Sequence, residues 1–136
     1  MYELFEHTAD LGLRATAPDL DTLFVDIATC LFTAIVEDLM AVRPVQDVRI
    51  EIEGSDTEYL LFDWLQRLLF HCEADHLIFS RFDVRVTDTG LIGTAWGEPF
   101  DPARHALSHE VKAITYHELK VERTADGWLA EVIVDI

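Results

Sequence analysis

Three short stretches of this chain carry side chains whose type and placement could do chemistry. The first is His7-Thr8-Ala9-Asp10, a polar interruption between the apolar-alternating segments Tyr2–Glu6 and Leu11–Ala15. Asp10 there either forms a turn by bonding its own backbone or acts as a hard oxygen ligand fixed at a rigid sheet edge. The second is the terminal run Val134-Asp135-Ile136. Chain ends usually fray, but an apolar strand running to the last residue predicts a docked end. Docking brings the Asp135 carboxylate beside the α-carboxylate of Ile136, and two crowded anions repel unless a cation neutralises them. Oxygen donors of this kind suit calcium or magnesium better than zinc.

The third stretch is Ser108 to His117, which contains Lys112, one of two lysines in the chain with Lys120. In so acidic a protein, a lysine among apolar neighbours either pairs with a carboxylate cluster or snorkels to solvent. His105 and His109 stand four apart and could hold a metal from a helix. Pro102 close by and the lack of cysteine partners favour coincidence instead.

The usual catalytic signatures are missing. The chain has no phosphate-binding glycine loop, no nucleophile elbow, no H-E-x-x-H and no C-x-x-C. A non-catalytic role is therefore expected.

The elements that must position these residues can be read from periodicity. Pro18-Asp19 opens a helix in which Leu20, Leu23, Phe24, Ile27, Leu31 and Ile35 recur at steps of three and four. This helix is expected to stop within 37–41. Val48, Ile50 and Ile52 alternate with charged residues as a half-buried strand. Ser55-Asp56-Thr57-Glu58 reads as a capping box. It opens a second helix, over 56–73, with Leu61, Trp64, Leu65, Leu68, Leu69 and Cys72 on one face.

Phe82 to Val86 and Leu91 to Trp96 predict a hairpin around Asp88-Thr89-Gly90. A second hairpin is predicted around Ala125-Asp126-Gly127, joining 119–122 to 128–135. Residues 98–108 read as a loop, and 109–117 leave extended and helical readings open. The last strand is apolar on both faces, which places it inside a sheet. The pattern as a whole predicts a single α+β domain over residues 1–136, with two long helices against a mostly antiparallel sheet.

Composition narrows the classes further. Half of the 136 residues are hydrophobic, enough for one core. Ten Lys+Arg against 26 Asp+Glu give a formal charge of −16, which repels phosphate backbones and anionic membranes. Tight direct RNA binding is not expected. Cys30 and Cys72 lie in apolar periodic segments and are expected as free thiols in a reducing compartment. With no basic leader and no long apolar run, a cytoplasmic protein without a membrane span is expected.

Phe5-Glu6-His7-Thr8-Ala9-Asp10-Leu11-Gly12, Glu110-Val111-Lys112-Ala113-Ile114-Thr115-Tyr116-His117 and the terminal Val-Asp-Ile together resemble the archease family. The likeness spans essentially the whole chain. It implies an α+β accessory protein of the RtcB-type RNA-splicing ligase, one that promotes guanylylation of the ligase histidine, restores turnover and broadens nucleotide use. It further implies a divalent metal, calcium first and magnesium or manganese as alternatives. The ligands carried over are Asp10, Asp135 and Ile136, with Lys112 as a functional residue beside them. His7 and His117 fall inside the motifs without an assigned role. The resemblance also implies an alternative, a chaperone-like modulator of a tRNA-modifying enzyme such as a methyltransferase, and the residues themselves leave open a metal-dependent hydrolase using Asp10, Asp135 and Lys112.

Overall fold

A computed structural model describes residues 1–136. Strands β1 (Tyr2–His7) and β2 (Asp10–Ala17) form a hairpin whose turn holds Ala9 at φ 63°. Asp19 then caps helix α1 (Leu20–Ile35), its carboxylate accepting the Thr22 N–H at 2.7 Å. The helix ends before residue 37, earlier than its periodicity predicts. Val36 is extended and bridges to Leu107, and Glu37 N–H donates to Ala106. A tertiary pairing thus takes the backbone groups that another turn would need. Asp38 caps a separate 3-10 turn, Leu39–Ala41.

Strand β3 (Gln46–Glu53) leads to helix α2 (Thr57–Asp75). The predicted capping box does not form. Asp56, one residue later than Ser55, is the cap and accepts from the Glu58 and Tyr59 N–H groups at 2.9 and 3.2 Å. A carboxylate accepts these hydrogen bonds more strongly than a hydroxyl. Glu58 is left free to accept the Val121 N–H at 3.1 Å instead. That bond ties the start of α2 to a strand far along the chain.

The remaining strands are β4 (Leu77–Thr87), β5 (Gly90–Pro99), β6 (Ala113–Ile114), β7 (Lys120–Thr124) and β8 (Gly127–Asp135). Both predicted hairpins are present, as β4–β5 and β7–β8. The fold is α+β, but the expected sheet divides in two. One sheet runs β1-β2-β8, with β7 and β6 sharing the far edge of β8; the other runs β3-β5-β4. Every pairing is antiparallel. Strand β8 is internal, as its apolar faces predict.

Helix α1 contacts β2 and β8 of one sheet and β4 of the other. Nine of its 16 residues are buried, more than one stripe supplies, as befits a helix covered on several sides. The Trp64 indole on α2 donates to the Phe24 carbonyl on α1 at 3.1 Å. One cluster of 35 buried residues runs through both sheets and both helices.

Cys30 and Cys72 are free. Burial pushes the Cys30 thiol up to about 12 and that of Cys72 up to about 11, so neither is a poised nucleophile. No helix is long and apolar enough to cross a membrane.

Candidate metal and interaction site at one end of the five-stranded sheet

The antiparallel register brings distant motif residues together. His7 pairs with Asp10 across the β1–β2 hairpin. Strand β2 pairs with β8 as far as Leu11–Val134. Asp10 and Asp135 are the next residues in that register, one on each strand. Asp135 in turn pairs with Ala113 of β6, and its carbonyl accepts the Lys112 N–H at 2.7 Å. Thr115 anchors the same segment through its N–H and hydroxyl, both donated to the Ile133 carbonyl at 3.1 and 2.8 Å.

Strand alternation decides which way these residues face. Leu11 and Val134 are buried in the core. Asp10 and Asp135 therefore share the opposite face with Gly12 and Ile133. Gly12 leaves space there for the Phe5 ring, since a Cβ at Gly12 would lie 2.2 Å from Phe5 Cζ. The Arg14 guanidinium covers the same ring at 4.3 Å and bonds Glu3 and Glu131 at 2.8 and 2.6 Å. Burial pushes the Glu131 carboxyl up, but hydrogen bonds from Arg14 and Lys120 more than offset it and hold it below its ordinary value. This network and the Phe5–Gly12 packing hold β1, β2 and β8 together on the face that Asp10 and Asp135 share.

His7, Asp10, Leu11, His109 and Ile136 line one open depression of about 720 Å³. Across the hairpin, His7 Nδ1 lies 3.9 Å from the Asp10 carboxylate. That nitrogen is buried and has no hydrogen-bond partner. Asp10 is half-buried, Ile136 is half-buried and Asp135 is exposed. The oxygens that Asp10, Asp135 and Ile136 offer are partly open to solvent, and their chemistry would fit a calcium-type ion.

Lys112 has its backbone against Asp135 and is exposed, and it borders a different cleft with Ile35, Leu69, Cys72, Glu73 and Glu110. His109 borders both depressions. The one lysine ion pair in the chain belongs to Lys120, which sits 3.3 Å from Glu131.

The His105–His109 pairing weighed from spacing does not occur. His105 is buried; its Nδ1 accepts the Asp101 N–H at 2.9 Å, so Nε2 carries the proton and donates to Glu98 at 3.0 Å. Glu98 also accepts from Arg104 and from the Arg43 N–H at 2.7 Å. Arg104's hydrogen bond, aided by those of Arg43 and His105, outweighs burial and holds the Glu98 carboxyl down to about 2. These residues brace the loop leading to His109.

Sequence reasoning left His7 and His117 without a role and passed over Glu118. His7 Nε2 lies 3.0 Å from Glu118 Oε2, and the His7 and His117 rings meet edge-on at 5.5 Å. The adjacency of His117 and Glu118 in the chain was the available signal. What brings them to His7 is a turn with Glu118 at φ 54°, which no residue pattern announced.

Fold and site together define a small acidic α+β protein with a cluster of polar residues at the end of an antiparallel sheet. The chain belongs to the archease family, whose model matches residues 2–136. It is 45% identical to the archease of Methanopyrus kandleri over 139 residues, covering 99% of both chains. To the Pyrococcus furiosus archease it is 40% identical over 140 residues, covering 99% of this chain and 98% of that one. A solution structure from Methanobacterium thermoautotrophicum superposes with a TM-score of 0.88 at 34% identity, covering 99% of this chain and 98% of the other. A crystal structure of a Thermotoga maritima archease, described as a possible chaperone, shares the fold with a TM-score of 0.61 at 19% identity.

Proposed function

We propose that this protein is a non-catalytic accessory factor that activates an RtcB-type RNA ligase, promoting guanylylation of the ligase and its turnover and broadening its nucleotide use. The observation that carries this reading is the meeting of the archease-like segments 5–12, 110–117 and 134–136 at one end of one sheet. Residues scattered through the sequence gather there without a catalytic signature among them.

Asp10, Asp135 and an oxygen of Ile136 hold a divalent cation in this reading, calcium foremost. When bound, the cation neutralises the facing carboxylates and ties β2 to β8. Asp10 and Asp135 supply its charge-bearing oxygens, and Leu11 and Val134 keep the two strands in register beneath them. Lys112, unpaired and exposed beside this edge, presents a mobile positive charge to an anion on the ligase, of which a nucleotide phosphate is the candidate.

The metal-dependent hydrolase reading requires Asp10 and Lys112 to face one substrate position. It is disfavoured because Asp10 and Lys112 line separate depressions.

The test mixes the protein with its cognate ligase and follows ligase guanylylation under limiting and excess substrate. Faster guanylylation and multiple turnovers are expected. No effect on the ligase, together with recovery of a tRNA-modifying enzyme from cell extract, would favour a chaperone-like modulator instead.

A further inference from the structure

We propose that His7, His117 and Glu118 form a separate binding site for a borderline transition-metal ion of the zinc type, with a coordination position left open. The three ligand atoms, two imidazole nitrogens and a carboxylate oxygen, lie within 4.8 Å of one another. Glu118 Oε2 is 3.0 Å from His7 Nε2 and 3.9 Å from His117 Nε2. A tetrahedral zinc site with bonds of about 2.0–2.1 Å places its ligand atoms roughly 3.3 Å apart. The His7–Glu118 edge is already near that spacing. Closing the other edges takes a rotation of His117, whose side chain is 63% exposed and free to turn.

The scaffold around these ligands is built to hold them. His7 ends β1, on a strand that Phe5 and Arg14 pack down. His117 and Glu118 occupy a turn closed by the Leu119 N–H on the Tyr116 carbonyl at 3.2 Å. The Thr115 hydroxyl accepts the His117 N–H at 3.2 Å, and the Tyr116 ring stacks on Phe62 of α2 at 3.9 Å. The turn is therefore tied both to β8 and to a helix.

The buried, unpartnered Nδ1 of His7 supports the same conclusion from another direction. Metal-bound histidines commonly donate their second ring N–H to a carboxylate, which fixes the tautomer. Asp10 Oδ2 lies 3.9 Å from that nitrogen, so a closure of roughly 0.7–1 Å brings it into hydrogen-bond distance. A proton on Nδ1, donated to Asp10 after that closure, leaves the Nε2 lone pair free for an ion shared with Glu118 and His117. Two imidazoles and one carboxylate select zinc, cobalt or nickel over calcium, so this site differs in chemistry from the all-oxygen set at Asp10, Asp135 and Ile136. The formal charge of −16 raises the local concentration of any divalent cation.

The experiment titrates the metal-free protein with cobalt(II) chloride, read by visible absorption, followed by competition with zinc(II) and then calcium(II). One equivalent of cobalt should bind, be displaced by zinc and resist calcium. His117→Ala and Glu118→Gln, both at exposed positions, should each lose that band while melting like the parent. Asp10→Asn should keep the band with affinity weakened about 10–100-fold, as loss of a supporting carboxylate does. His71→Ala should leave it unchanged. The proposal is overturned if no stoichiometric cobalt binds, or if binding survives both His117→Ala and Glu118→Gln. It is equally overturned if Asp10→Asn abolishes the band as fully as His117→Ala does, because the ion would then sit at the oxygen site.

Discussion

Asp10 and Asp135, 125 positions apart in the sequence, stand one register step beyond Leu11–Val134, the last pair that β2 and β8 form. Adjacent antiparallel residues have Cα atoms about 4.5–5.5 Å apart, a spacing that in the proposed site would let both carboxylates serve one ion at calcium–oxygen distances of about 2.3–2.6 Å. Calcium should therefore raise the melting temperature, by about 2.7 kcal/mol of stability at one hundred times the dissociation constant. Asp10→Asn or Asp135→Asn should abolish that rise in a melt with and without calcium chloride. An unchanged rise in both variants would remove these residues from the site.

Glu98 predicts an acid transition. Its folded carboxyl is held down to about 2, below its unfolded value, so the unfolded chain binds the proton first. The stabilisation is fully present above the ordinary glutamate range and is lost as pH falls toward 2. Glu98→Gln should destabilise the protein at neutral pH by about 1–3 kcal/mol, as loss of charge-assisted hydrogen bonds to a buried carboxylate does, since its ion-pair partner Arg104 is exposed and stays solvated. It should also flatten the loss between pH 5 and pH 2 in urea unfolding. A variant that keeps the parental pH slope would exclude Glu98 as the cause.

Much of the fold was legible because apolar spacing reports burial. Leu61, Trp64, Leu65, Leu68 and Leu69 are all buried, and β8 is internal as its two apolar faces implied. Elements set by local chemistry alone were read less well. The cap of α2 moved from Ser55 to Asp56 because two adjacent residues can both cap, and only the fold offers Glu58 the Val121 N–H. The division into two sheets depends on which strands α1 separates, and periodicity does not encode pairing partners. Asp10, Lys112 and Asp135 could be singled out as candidates from their motifs, and the register brings their backbones together while Lys112 borders a separate cleft. Glu118 could not, since its contact with His7 comes from a left-handed turn and from tertiary pairing that no residue pattern encodes.

Leu65→Ala tests whether α2 anchors the core. Leu65 is fully buried, so truncation should cost about 2–5 kcal/mol in equilibrium unfolding. A loss under about 1 kcal/mol would mean the helix face is not packed as described.

Direct RNA binding should be weak, because 26 acidic against ten basic residues oppose phosphate contact. Tight tRNA binding at physiological salt, with a steep fall as salt rises, would contradict the accessory role.

Lys112→Ala should abolish ligase activation while leaving the fold intact. The side chain is exposed and makes no ion pair with this chain's own carboxylates, so its removal uncovers no buried charge and opens no cavity. Its backbone bond to Asp135 is unaffected by the substitution, and the strand edge stays in place. What disappears is the positive charge beside an acidic edge, the group available to an anion on the partner. Lysine acts as a compact point charge, whereas arginine presents a planar fork, so Lys112→Arg should restore activation only in part. Lys120→Ala is the contrasting variant. Lys120 pairs with Glu131, which keeps Arg14 as a second partner, so the loss should be within about 1 kcal/mol and activation should persist. Guanylylation of the ligase by each variant, alongside its thermal melt, decides the matter. Full activation by Lys112→Ala, or equal losses from both lysine variants, would show that positive charge at this edge is not what the ligase reads.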